Sequence, residues 1–188
     1  CSEALKKKGF KVINLDAKGH FLEKIKKINP NVIFNALHGK YGEDGFTQSI
    51  LESLQIAYTH SGVLSSSLAM DKELSRIIFK KNKINVPKYF LFEKNQKKSL
   101  NIKLKETKIK FPTVVKPVNE GSSLGVDICK NKYVLNKKLK KLIKLYDKAL
   151  VEEYIPGREI QVAVMGGKAL GAIELAPKRK FYDYKAKY

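Results

Sequence analysis

The sequence predicts an α/β unit followed by an α+β unit. Up to about residue 64, short helical patterns alternate with apolar runs as helix, strand, helix, strand, the spacing of a parallel sheet with crossover helices. From about residue 65 onward, β-branched alternating runs are joined by glycine-containing turns and interleaved with helices, the pattern of an antiparallel sheet. The 188 residues are 43% hydrophobic and 30% charged, enough to bury a core and unlike a disordered chain. No internal repeat is visible.

The elements follow in order. Residues 2–8 read as a helix ended by Gly9, and 10–15 (FKVINL) alternate as a strand. Residues 21–28 form a short basic helix stopped by Pro30, and 32–37 (VIFNAL) are apolar enough for a strand covered on both faces. A helix over 46–54 carries Phe46, Ile50, Leu51 and Leu54, and a short strand follows at 56–58. Residues 65–81 read as one helix with Leu68, Leu74, Ile77 and Ile78 inward and Asp71 and Lys72 at its middle. Pro87 breaks the chain before a strand at 88–92, and the lysine-rich 94–110 reads as a helix or a connection. A hairpin at 111–129 precedes an amphipathic helix over 133–148, with Leu135, Leu139, Leu142, Ile143 and Tyr146 on one face. Residues 149–155 form a strand, and strands 159–165 and 169–175 are joined by Gly166-Gly167, a strong two-residue hairpin signal.

Composition narrows the functional classes. No apolar run is long enough to span a membrane and no signal-peptide pattern opens the chain, so no membrane partner is expected. Cys1 and Cys129 make neither a disulfide framework nor a metal spacing, which points to the cytoplasm. The net charge of +20 suggests nucleic acid, but only Arg76, Arg158 and Arg179 are arginines and the lysines are spread over every segment. A compositional bias accounts for that charge better than a nucleic-acid partner. The chain opens with Cys1 inside a helical pattern and closes in a polar aromatic stretch, so an internal fragment is expected.

Two stretches carry chemistry. In FPTVVKPVNEGSSLGVDICK (111–130), the run Thr113, Val114, Val115 delivers Lys116 into a glycine–serine loop from Asn119 to Gly125. Small residues, hydroxyls and backbone N–H groups beside an ammonium suit a phosphate cradle, although the loop alone also reads as an ordinary glycine-containing turn. A P-loop or dinucleotide fingerprint needs strand, glycine loop and helix; here a second strand follows, so any nucleotide is held by a hairpin flap. The other stretch, HGKYGEDG (38–45), follows an apolar run at the place where open α/β sheets bind ligands. Glu43 and Asp44 suit capping of the next helix, whereas His38 has no such duty.

Five blocks in this order resemble the D-alanine–D-alanine ligases of the ATP-grasp superfamily: HGKYGEDG (38–45), AYTHSGVLSSSLAMDK (57–72), FPTVVKPVNEGSSLGV (111–126), LVEEYIPGREIQVAV (150–164) and FYDYKAKY (181–188). The resemblance implies an N-terminal α/β domain over 1–64 with its start missing and a central ATP-grasp subdomain over 65–149. Residues 150–188 would begin the C-terminal ATP-grasp subdomain and include part of a closing loop. It further implies ligation of two D-alanines for peptidoglycan synthesis, with ATP first phosphorylating a carboxylate and a second amine attacking the acyl phosphate. Lys72, Lys116 and, on the closing loop, Lys187 match the family's phosphate-contacting lysines. Gly121 and Ser123 would cover the phosphates. Ser122 and Tyr188 match a hydrogen-bonded group that positions the first D-alanine, and His38 matches a histidine near that substrate. Glu152, Glu153, Tyr154 and Ile155 match the strand that hydrogen-bonds adenine, and Glu159 a carboxylate on the ribose hydroxyls. The cofactor Mg²⁺ (or Mn²⁺) is implied, with its ligands outside this sequence, as is a homodimer. His60 stands where family members often have Gly. A D-alanyl-D-lactate or D-alanyl-D-serine ligase, an inactive truncated remnant and a non-catalytic nucleotide or nucleic-acid binder are the alternatives, and Tyr188 favours the dipeptide.

Overall fold

The N-terminal third shows the expected alternation only in part. The computed structural model describes residues 1–176, and in it α1 (Ser2–Lys7) and α2 (Phe21–Ile28) form where the apolar spacing put them. Asn29 closes α2 in the left-handed conformation, directly before Pro30. Residues 10–15 make no strand. The 32–37 run contributes only β1 (Val32–Ile33), parallel to β2 (Ala57–Tyr58) across the crossover helix α3 (Phe46–Ser53). Val32 and Phe34 are 55% and 46% exposed, so the expectation of a strand covered on both faces fails. A β-branched run becomes a buried strand only where neighbours flank it, and among the described residues β1 has one partner, two residues long.

The helix expected over 65–81 is two helices, α4 (Val63–Met70) and α5 (Lys72–Lys81). Asp71 divides them: its backbone is extended, and its carboxylate accepts hydrogen bonds from Glu73 N at 2.9 Å and Leu74 N at 3.0 Å. This is an N-cap, so the acidic residue placed in mid-helix by sequence starts a helix instead. The break re-phases α5. Leu74, Ile77 and Ile78, expected inward, are exposed, and Arg76 is the buried residue of α5.

The core lies in the antiparallel sheet that follows. Strands β3 (Tyr89–Glu93), β4 (Thr113–Pro117), β5 (Asp127–Cys129) and β6 (Lys148–Glu153) lie in the order β3-β6-β4-β5. Two helices pack on it: α6 (Leu100–Thr107), capped by Ser99, within the lysine-rich segment, and α7 (Lys132–Tyr146), capped by Asn131. Phe90 and Val115 both stand opposite Val151 in register. These three share one face and pack with Leu135, Leu139 and Leu142 of α7 and with Leu100 and Ile109.

The last described elements are β7 (Glu159–Met165) and β8 (Lys168–Leu175), which pair antiparallel with each other. Gly166 and Gly167 turn the chain at φ 56° and 73°, as a two-residue turn requires. Every residue of β7 is exposed, and so is every residue of β8 except Leu175.

Candidate functional site

Side chains alternate across a strand, so the residues beside Val115 and Val151 point away from α7. On that second face Lys116 stands opposite Leu150, and Val114 stands opposite Glu152. Helix α5 crosses here. Glu152 is 6% exposed and holds two cations, Arg76 Nη2 on Oε2 and Lys116 Nζ on Oε1. Arg76 also donates through Nη1 to Lys72 O at 2.9 Å, and its guanidinium lies 5.5 Å from the Tyr89 ring centroid.

Lys72 joins α5 to the root of the flap. Its backbone N donates to Val118 O at 3.1 Å, and its ammonium donates to Val118 O at 3.3 Å and to Glu120 O. Burial lowers its pKa to about 8, and the charges of Lys116 and Arg76 push the same way. Like charges crowded in a partly buried place form a site that an anion would relieve. Glu152 is the anion the chain itself supplies.

The flap between β4 and β5 leans on the 38–45 loop. A Cβ at Gly121 would lie 3.0 Å from Gly39 Cα and 3.3 Å from Glu43 Oε2, so a side chain there would push the two loops apart by a few tenths of an ångström. Ser122 and Ser123 sit at φ 50° and 58°, a tight turn in the left-handed region. Behind the flap, Glu43 Oε2 accepts from Gly39 N at 2.5 Å, and Oε1 lies 3.9 Å from His38 Nδ1. Glu43 therefore shapes the loop beside His38. The N-cap of α3 is Gly45, with no side-chain cap bond, and Asp44 before it accepts from Phe46 N at 3.1 Å and Tyr41 N at 2.8 Å. Two buried amides fix the loop from below, Asn35 Nδ2 and Gln48 Nε2 both donating to Gly42 O, at 2.9 and 3.0 Å. Nearby, His60 adopts φ 81°, a conformation that favours glycine.

The structure thus brings Lys72, Lys116 and Glu152 together and sets Gly121 against the His38 loop. Other expected residues lie apart. Glu153 takes the α7-side alternation, its Oε1 accepting from Lys88 N at 2.9 Å and its N donating to Lys88 O at 3.0 Å. Tyr154 N donates to Pro112 O at 3.2 Å, and its side chain borders a cavity of about 320 Å³ that Lys88, Lys110 and Phe111 also line. Ile155 is exposed beyond the sheet, and Glu159 begins the exposed β7. Lys187 and Tyr188 lie outside the described residues.

Sequence reasoning missed Arg76, Asn35, Gln48 and the ion-pairing role of the Glu152 side chain. Only for Arg76 was there a signal: it is one of three arginines among 38 basic residues and lies one helical turn after Lys72. Among the described residues no three His, Cys, Asp or Glu groups converge as a metal site requires. The described residues therefore set two ammonium groups and a guanidinium where an anionic ligand would be held.

A mixed α/β protein with a flap hairpin over a lysine-bearing sheet face is the class that this fold and site define. The chain belongs to the D-alanine–D-alanine ligase family: the family described as "D-ala D-ala ligase C-terminus" matches residues 78–188. The D-alanine–D-alanine ligase of Pelagibacter ubique is 55% identical over 187 residues, covering 100% of this chain and 61% of the relative. That of Wolbachia pipientis wMel is 44% identical, over 99% of this chain and 58% of the relative. The crystal structure of the Bacillus anthracis D-alanine–D-alanine ligase superposes with a TM-score of 0.81 at 34% identity, covering 99% of this chain and 61% of that one. The same enzyme complexed with ATP superposes at 0.78 and 31% identity, over 94% and 58%. The chain therefore spans about three-fifths of the length of the relatives it matches. Among the described residues no helix is long and apolar enough to cross a membrane.

Proposed function

We propose that this chain carries the ATP-binding face of a protein that ligates two D-alanines through an acyl phosphate, for peptidoglycan precursor synthesis. The observation that carries this reading is the convergence of Lys72 and Lys116 beside the Glu152 carboxylate, at the root of a glycine–serine flap. Phosphoryl transfer needs little covalent help from a protein and much fixed positive charge. Lys116 supplies that charge from a rigid strand and Lys72 from the first turn of α5, while the 119–125 flap adds backbone donors.

ATP, when bound, supplies the phosphoryl group that activates the first carboxylate. Lys116 and Lys72 hold its phosphates. The Glu152–Ile155 strand end meets the adenine through backbone groups other than the N–H groups of Glu153 and Tyr154, which are already bonded within the chain. Glu159 accepts from the ribose hydroxyls. Gly121 and Ser123 cover the phosphates, Ser122 and Tyr188 position the first D-alanine, His38 lies near it, and Lys187 closes the site. The proposed layout is an α/β domain over 1–64, a central subdomain over 65–149 and the start of a third over 150–188. Mg²⁺ or Mn²⁺ ligands come from outside the described residues, and the protein works in the cytoplasm as a homodimer. Tyr188 favours D-alanine over D-lactate or D-serine as acceptor.

The test is phosphate release from ATP by the whole protein with and without D-alanine. Release that rises with D-alanine, and D-alanyl-D-alanine as product, is the expected result. Turnover only with D-lactate or D-serine would move the reading to a depsipeptide or mixed-dipeptide ligase, and ATP binding without turnover on any acceptor would leave a non-catalytic nucleotide binder.

A further inference from the structure

We propose that Arg76 is a positioning residue for the nucleotide phosphates: by holding Glu152 it keeps the Lys116 ammonium available, and by holding the Lys72 carbonyl it fixes the second ammonium. The inference rests on the reading of this face as an ATP site.

A buried guanidinium is costly unless its donors are used. The Arg76 side chain is 11% exposed and spends Nη1 on Lys72 O and Nη2 on Glu152, with Nε buried and unpartnered. An ion pair for stability alone would need only one cation on Glu152, and Lys116 already provides it. A second cation on the same carboxylate does something different. It takes one carboxylate oxygen for itself, so Lys116 faces a half-satisfied anion and can turn to phosphate without leaving Glu152 a buried, unpaired charge. With Arg76 present, Arg76, Lys72 and Lys116 together outweigh Glu152 by two charges; without it, by one, and Lys116 becomes the sole counter-ion of Glu152. Glu120, whose backbone carbonyl holds Lys72, adds a smaller negative contribution at Lys72 than the two cations do. The bond from Arg76 to Lys72 O also ties the guanidinium to the first turn of α5, so one side chain sets both lysines. Lysine at 76 would supply the charge but not the planar fork that reaches a carboxylate and a carbonyl together.

The experiment compares ATP and adenosine binding by the whole protein, calorimetrically, for wild type, Arg76→Gln, Arg76→Lys and the double variant Arg76→Gln/Glu152→Gln, with melting curves for each. Arg76→Gln should weaken ATP at least tenfold and leave adenosine within twofold, because the effect falls on phosphates. Adding Glu152→Gln should recover most of the lost ATP affinity by freeing Lys116, and Arg76→Lys should fall between wild type and Arg76→Gln. ATP affinity unchanged in Arg76→Gln overturns the inference, as does equal loss of ATP and adenosine or no recovery in the double variant. Should Arg76→Gln fail to fold, Arg76→Lys decides by the same contrast: a loss confined to ATP supports the role, and an equal loss or none overturns it. Wild type binding no ATP would overturn the nucleotide reading itself and this inference with it.

Discussion

Strands β6 and β7 are six and seven residues long and both pair along their length, yet one is buried and the other stands in solvent. In β6, Ala149 to Glu152 are all buried: α7 covers one side, α5 reaches the other, and β3 and β4 flank it. In β7 every residue is exposed, including Ile160, Val162 and Val164, and β8 is the only strand paired with it among the described residues. Ladder hydrogen bonds largely exchange for bonds to water, so pairing alone gives a two-stranded ribbon little stability. The difference sorts the functional residues as well. Lys116 and Glu152 sit on strands fixed from both faces, as groups that stabilise a developing charge should be, whereas among the described residues only the β7–β8 ribbon positions Glu159.

The largest expected effect tests whether stability divides this way. Leu139 is 1% exposed in α7 and packs on the sheet core, so Leu139→Ala should cost about 2–5 kcal/mol in a urea titration. Val162→Ala on β7 should cost under about 0.5 kcal/mol, because the valine is already in water. Similar costs at the two positions would break the comparison, since they would mean that the hairpin is packed in solution.

Legibility in the sequence follows the same division. The hairpins and helix α7 depend on local rules, and the expected and observed limits agree to a few residues, whereas the lysine-rich 94–110, left open between helix and connection, holds α6 over Leu100–Thr107. What failed depended on partners. Residues 10–15 and 32–37 have the composition of strands, but composition cannot say whether a neighbouring strand lies beside them. The α4–α5 break was readable in principle, since Asp71 is a good N-cap, but the unbroken apolar spacing from Leu68 to Ile78 favoured one helix. Of the candidate site, Lys116 and the flap could be found from the residues themselves and Lys72 only through the family resemblance. The double ion pair on Glu152 was not legible, because it joins positions 76, 116 and 152, which only the tertiary fold brings together.

The next expected effect sharpens the picture of the buried face. With the folded pKa of Lys72 near 8 and an ordinary lysine at 10.5, the unfolded chain holds more protons between those values. Lys72 should therefore add stability as pH rises from about 8 to about 10.5, the protonated ammonium being the form that burial and its cationic neighbours disfavour, while the Cys129 thiol, pushed up to about 11 by burial, removes stability above about 9. After allowance for screening at a partly exposed group, the gain is on the order of 1 kcal/mol. In Lys72→Met this contribution should vanish, and the difference between wild type and variant in urea titrations at a series of pH values reads it. An unchanged profile would place the titrating group elsewhere.

The smallest expected effect probes the ribbon. Arg158 donates to both oxygens of Glu174 across the hairpin, from Nε at 2.9 Å and from Nη2 at 2.7 Å. The guanidinium pKa is raised and the carboxylate pKa lowered by this bond, so each group favours the other's charged form. On an element packed into the core such a fork would register in global unfolding. Here both partners are in water, so the pair competes with hydration and salt, and the strands it joins are not packed on the sheet that unfolds cooperatively. Arg158→Ala should leave the urea midpoint of the whole chain unchanged while speeding amide exchange in 159–165, because the ribbon opens locally and the sheet does not. A drop in the midpoint would show the hairpin unfolding together with β3–β6, and the contrast between the two sheets would then be one of exposure alone.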